Sequence, residues 1–227
     1  PGTIYAGTTT ENIFRSTDAG ATWIKTPTTG LPSVSFANDM VVAPTNSSVV
    51  YVGHFFGLYK STDGGNNFSA VSPTSNFGSV NSIRFDPATP TTIYIGARNG
   101  VFKSTDGGSN WIQQNNFGIA NTPNVLALAI DPTTPLTLYA GTSGNGLFKS
   151  TNGGGVWTAM NSGMGGGNPT LVSAIAIDPT NTATVYTGHG DTPGAGGINK
   201  STNGGASWTP LTNGVPMLTA GDERVML

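Results

Sequence analysis

The chain has 227 residues, 33 of them Gly and 15 Pro, with only 9% charged and a formal net charge of −2. That balance excludes a nucleic-acid binder, whose affinity comes from Lys and Arg neutralising phosphates. The lack of Cys excludes a disulfide framework, a thiolate nucleophile and Cys-ligated zinc. The longest apolar run, Val125 to Ile130, is far short of the roughly 20 residues that a membrane span needs.

The first predicted element is a short strand, Ile4-Tyr5-Ala6-Gly7. An octad follows it, Ser16-Thr17-Asp18-Ala19-Gly20-Ala21-Thr22-Trp23. Both return down the chain. The octad reappears at Ser61 to Phe68, Ser104 to Trp111, Ser150 to Trp157 and Ser201 to Trp208, so that the leading serines are spaced by 45, 43, 46 and 51 residues. The Tyr-x-Gly strand recurs at Val50 to Gly53, Ile93 to Gly96, Leu138 to Gly141 and Val185 to Gly188. A third element, an apolar strand ending in a turn proline, spans Met40 to Pro44, Ile83 to Pro87, Leu128 to Pro132 and Ile175 to Pro179. With a strand typified by Val101-Phe102-Lys103 and a last one starting at the octad aromatic, each unit reads as four short strands. Nowhere does a 3.6-residue apolar period run long enough for a helix. A period of about 45 with four strands per repeat predicts an all-β chain, a β-propeller of four-stranded antiparallel blades.

The ends are expected to share a blade. Residues 1–5 align with residues 90–94, in the turn before a second strand, and Val225 lies as far after Trp208 as Met40 does after Trp23. Three N-terminal strands and one C-terminal strand would then close a five-bladed ring, which removes exposed sheet edges. The expected blades are 1–29 plus 219–227, 30–76, 77–121, 122–168 and 169–218. The alternative is a fragment of a larger propeller.

The octad resembles the Asp-box (BNR) repeat, Ser-x-Asp-x-Gly-x-x-Trp, and the resemblance runs through essentially the whole chain. It implies the propeller fold. It says little about activity, because the box is shared by sialidases, xyloglucan-degrading glycoside hydrolases, sortilin-type receptors and photosystem II assembly factors. The box residues are expected to be structural: Ser16, Asp18 and Trp23; Ser61, Asp63 and Phe68; Ser104, Asp106 and Trp111; Ser150, Asn152 and Trp157; Ser201, Asn203 and Trp208. Ser and Asp hydrogen-bond turn backbone, and the aromatic buries a large area over the hairpin. Asn152 and Asn203 keep the hydrogen bonding without the charge, which argues against calcium or acid chemistry there.

Little chemistry remains once the scaffold is subtracted. Asp86, Asp131 and Asp178 precede turn prolines, and Arg15, Lys60, Lys103, Lys149 and Lys200 hold one repeated position before the box. There is no Gly-x-Ser-x-Gly and no His-Glu-x-x-His, so neither a hydrolase triad nor a metal or cofactor site is expected. A glycoside hydrolase needs two carboxylates across one cleft. If the ring closes, Asp222 and Glu223 come beside Asp39, with Glu11 in a neighbouring loop. The arginine triad implied by a sialidase resemblance cannot be assembled. The Thr-Asp-x-Gly-Gly segment of the xyloglucan-degrading enzymes is replaced by Gly7-Thr8-Thr9-Thr10-Glu11-Asn12.

The loops from second to third strands, and from blade to blade, are expected on one face. There His54, Phe55, Phe56, Arg98, His189, Asp191, Asp39 and Glu11 are the candidate ligand-binding residues, with Phe36, Phe77 and Phe117 in the blade-to-blade loops, where any one of them taken singly is expected to fold inward and plug a gap between blades. Aromatics with a few polar groups suit a glycan or protein ligand. The expected function is a non-catalytic binding module, secreted or at the cell surface (or periplasmic), without nucleic-acid or membrane partners. A glycoside hydrolase is the alternative, and a self-assembling structural subunit a further one.

Overall fold

A computed structural model describes residues 2–8, 13–32, 37–71, 74–164, 171–189 and 197–212. They form five antiparallel sheets whose strands follow one another in chain order. The first sheet has three strands: β1 (Ile4–Gly7), β2 (Ile13–Ser16) and β3 (Ile24–Lys25). The other four have four strands each. They are β4 (Ala37–Ala43), β5 (Asn46–His54), β6 (Gly57–Ser61) and β7 (Ser69–Ala70); β8 (Val80–Phe85), β9 (Ile93–Ala97), β10 (Gly100–Ser104) and β11 (Ile112–Gln113); β12 (Asn124–Ile130), β13 (Leu138–Ser143), β14 (Leu147–Ser150) and β15 (Thr158–Ala159); and β16 (Ala174–Ile177), β17 (Val185–His189), β18 (Gly197–Ser201) and β19 (Thr209–Leu211). The first strands β4, β8, β12 and β16 stand side by side, each against the next. The fold is a β-propeller, and its hydrophobic core lies between sheets rather than at one centre.

Period-2 alternation explains this. Along β9, Ile93 and Ile95 face the sheet before, packing with Tyr51 and Leu58, while Tyr94 faces the sheet after, packing with Leu128 and Phe148. Both faces of a blade are therefore buried, and β9 has no exposed residue. The Tyr-x-Gly glycine is where the next blade comes closest. A Cβ on Gly141 would lie 2.5 Å from the Val172 carbonyl oxygen, and one on Gly53 would lie 2.9 Å from that of Val80.

Each box closes a hairpin from within. Ser16, Ser61, Ser104, Ser150 and Ser201 accept the N–H of the residue four on, at 2.8–3.0 Å, and donate to Oδ1 of the Asp or Asn two on. That Oδ1 in turn accepts the N–H four residues later, so Asn152 and Asn203 serve as Asp does. The fourth box residue, at positive φ in every copy (Ala19, Gly64, Gly107, Gly153 and Gly204), has its carbonyl turned outward. At four seams the preceding blade takes that carbonyl. Arg15 Nη1 donates to Gly64 (2.8 Å), Tyr51 Oη and Lys60 Nζ to Gly107 (2.6 and 3.0 Å), Tyr94 Oη to Gly153 (3.3 Å), and Tyr139 Oη and Lys149 Nζ to Gly204 (3.0 and 2.8 Å). Lys60, Lys103 and Lys149 also lie over the rings of Tyr51, Tyr94 and Tyr139 at 5.1–5.2 Å. Burial, with the Asp131 charge adding, pushes the Tyr139 hydroxyl up to about 12, so it remains a donor. The repeated basic position thus ties the seam at Arg15, Lys60 and Lys149, and at Lys103 and Lys200 it lies over the ring of Tyr94 or Tyr186.

Three features differ from the sequence reading. The fourth strand begins one residue after the box aromatic. The backbone N–H of Phe68, Trp157 and Trp208 is instead donated to Thr29, Asn116 and Ser162 of the preceding connection. A short helix, α1 (Thr74–Phe77), ends in Phe77 and delivers that ring beneath Trp111. Trp23 is 43% exposed, whereas Phe68, Trp157 and Trp208 are buried, because no described sheet lies in front of the first blade. The closing strand expected over residues 219–227 lies outside the described residues.

Alanine at two glycines separates the backbone effect from the packing effect. Gly107 has φ of +66° and open space around a Cβ, so Gly107→Ala is expected to cost about 1 kcal/mol for the left-handed conformation. Gly141→Ala pushes a methyl into the Val172 backbone and is expected to cost about 3 kcal/mol. Urea midpoints of the two variants check the ranking, and equal losses would contradict it.

Candidate functional site

The β5–β6 hairpin has a two-residue tip. His54 pairs with Gly57 in register, leaving Phe55 and Phe56 as the turn, and Gly57 takes φ of +127°. His54 is buried; its Nδ1 accepts the Phe56 N–H at 3.2 Å, and its ring meets Tyr59 edge-on at 5.5 Å. The two Phe rings meet edge to face at 5.2 Å and stay 55% and 48% exposed. Turns normally take Gly, Asn or Asp because these tolerate the backbone and the water. Here two large apolar rings stand in water on a propped turn.

The corresponding tips are Arg98-Asn99 between β9 and β10 and the three-residue Gly144-Asn145-Gly146 between β13 and β14. Arg98 is exposed; its N–H donates to Ser79, and its Cβ rests against Gly78. His189, like His54, is buried at the end of its strand. Neither imidazole therefore stands open on the surface as a ligand contact requires, and in His54 the turn occupies one ring nitrogen. Glu11 and Asp191 lie outside the described residues, as do Phe36, Asp222 and Glu223. Phe77 and Phe117 do not add to the face. Phe77 meets Phe102 and Trp111 edge-on at 4.9 and 5.7 Å, and Phe117 stacks on Trp157 at 5.2 Å, both in seams.

Asp39 is drawn into the scaffold. Its Oδ2 accepts the Ile83 N–H (2.8 Å) and pairs with Arg84 Nη1 (2.7 Å), while Oδ1 accepts the Met40 N–H (2.8 Å). Ser82 does the same one blade on, accepting the Leu128 N–H at 3.2 Å. Beside them, the bulged residues Asn38 and Asn81 donate to the Val80 and Val125 carbonyls. A carboxylate so held is a bridge between inner strands, and removing it strands a backbone N–H. Asp39→Ala is expected to lower stability by about 1–3 kcal/mol, read as a shift in the thermal midpoint. An unchanged midpoint would contradict the bridging role.

Hydrogen bonds hold the three box carboxylates at about 2, against an ordinary 3.8. The largest causes are the Thr22 side chain at Asp18, the Asn67 side chain at Asp63 and the Asn110 backbone at Asp106. A lowered folded pKa means stability that is present above about pH 4 and lost as pH falls through 2. Asp131 and Asp178 shift the same way: at Asp131 burial opposes stronger bonding by Thr133 and Thr134 together, and at Asp178 Thr180 dominates. The triple variant Asp18→Asn, Asp63→Asn, Asp106→Asn is expected to flatten most of the loss between pH 4 and 2 in an acid titration of circular dichroism. A slope equal to wild type would contradict it. Among the described residues no three His, Cys, Asp or Glu side chains converge as a metal site, and no helix is long and apolar enough to cross a membrane.

No protein-family model matches the chain, and no curated protein matches it. Solved structures do. An ancestral GH74 enzyme superposes with a TM-score of 0.80 at 25% identity, over 96% of this chain and 30% of that one. The GH74 xyloglucanase from Xanthomonas campestris gives 0.73 at 19%, over 93% and 36%. YCF48 bound to D1 peptide gives 0.56 at 15%, over 88% and 60%. This chain thus spans about a third of the length of the GH74 enzymes it is similar to. The likeness carries the fold: similar propellers serve a glycan-acting enzyme and a peptide-bound protein.

Proposed function

We propose that this chain is a non-catalytic, secreted or cell-surface binding module that grips a glycan through the loop face carrying Phe55 and Phe56. The observation that carries the reading is the exposure of both rings on a hairpin tip held by buried His54. A rigid pair of rings offers a flat apolar surface to the C–H face of a sugar at small entropic cost, since little side-chain freedom remains to be lost. Arg98, on the adjacent tip, adds an exposed donor fork. The likeness to glycan-acting GH74 enzymes supports a glycan over other ligands.

Hydrolysis is the second reading, favoured by that same likeness. Against it, Asp39, the described member of the carboxylate group expected at the axis, has both oxygens engaged, whereas a general acid or nucleophile must reach the glycosidic bond.

A glycan array with the wild type and a Phe55→Ala, Phe56→Ala variant tests the proposal. The variant is expected to lose at least 10-fold in affinity with its thermal midpoint unchanged, because both rings are exposed. Equal binding by the two proteins, or release of reducing sugar from the bound polysaccharide, would overturn it.

A further inference from the structure

A groove of about 530 Å³ opens between α1, the β9–β10 tip and the connection after β11, within the roughly 300–1,000 Å³ range of small-ligand clefts. Its floor is aromatic. Trp111 is half-buried, with Phe77 and Phe102 packed behind it. The Trp111 indole N–H is already donated to the Gly108 carbonyl at 3.1 Å, so the ring offers the groove its apolar surface.

The rim is polar and preset. Asn99 Nδ2 donates to the Asn76 carbonyl (3.1 Å), and Gln113 Nε2 donates to the Asn99 carbonyl (2.9 Å). The two amides are thereby turned, with Asn99 Oδ1 and Gln113 Oε1 left as acceptors. The exposed Asn76 amide and Thr122 hydroxyl add donors at the rim. Among the described residues no charged side chain lines the groove, although Arg98 stands next to Asn99 on the same tip. An anion would find no cation among these lining side chains, and an apolar ligand would bury the amides unpaired. A ligand with one flat apolar face and hydroxyls around its edge satisfies every wall.

We propose that this groove binds a short segment of a neutral oligosaccharide, its ring against Trp111 and its hydroxyls shared among Asn76, Asn99, Gln113 and Thr122. The proposal deepens the glycan-binding reading and rests on it. The site itself is separate from the Phe55–Phe56 tip, although α1, which forms one wall, packs against β6 of the same hairpin.

The test is calorimetric titration of the whole chain with a glucose hexasaccharide and, separately, a uronic-acid hexasaccharide. It is repeated on an Asn76→Ala, Gln113→Ala variant and on the Phe55→Ala, Phe56→Ala variant. The neutral probe is expected to bind, to quench tryptophan fluorescence, and to lose at least 10-fold in affinity in the Asn76→Ala, Gln113→Ala protein, whose exposed substitutions leave the thermal midpoint in place. Tighter binding of the uronic-acid probe would overturn the groove assignment. So would undiminished neutral binding by the groove variant: if the Phe variant alone fails, the tip reading stands and the groove does not. Loss in the groove variant with full binding by the Phe variant gives the reverse. No binding of either hexasaccharide by the wild type overturns the groove.

Discussion

A backbone carbonyl, offered by a residue at positive φ in four of the five boxes, ties one blade to the blade before it. Gly107 and Gly204 each receive a tyrosine hydroxyl and a lysine ammonium, Gly153 a tyrosine and Gly64 an arginine. The box is thus more than a self-contained turn. Its Ser and Asp or Asn fix the hairpin so that this carbonyl points sideways, and its aromatic delivers an N–H to the same neighbour. Sheets that share only apolar contact could slide, since burial of apolar surface has no direction. The polar tie sets the angle at which they meet.

Once the seams are fixed, the loop ends have little left to do structurally, and there the blades diverge. Three corresponding hairpin tips read Phe55-Phe56, Arg98-Asn99 and Gly144-Asn145-Gly146 on similar strands. Exposed rings at the first, amides around Trp111 beside the second and a bare glycine at the third give the blades different surfaces on one frame. That division of labour is common where a rigid scaffold presents loops. It also explains how similar propellers can serve an enzyme and a peptide-bound protein without similarity in their sites.

Much of this was legible in the sequence, and the reason is repetition. Box, Tyr-x-Gly strand and turn proline recur in step, so the same signal points to four-stranded antiparallel sheets several times over, and such sheets are what the chain forms. The failures concern contacts between repeats. Asp39 looked like a spare acid because its counterpart is Ser82, and the shared property, accepting an N–H from the next inner strand, appears only when the strands stand together. Phe77 and Phe117 fold inward, as expected of each taken singly, but their own repeat does not show the slot that takes them, which is formed by the following blade's Phe102 and Trp111, or Phe148 and Trp157. Trp23 looked buried because its box matches the others, although burial there depends on a sheet in front of it. The 3.6-residue pattern needed to announce α1 does not fit into four residues.

Among the described residues the ties run only between neighbouring blades, and this gives them the thermodynamics of stacked units rather than of a ball. Their free energy approximates a sum of blade terms and junction terms, as in stacked repeat arrays. Within the described residues the first blade, with Ile4 and Trp23 exposed, is less covered than the third and fourth. The same arithmetic lets a whole unit of about 45 residues be gained or lost for two junctions' worth of adjustment, which makes blade number an easily changed quantity in the history of such chains.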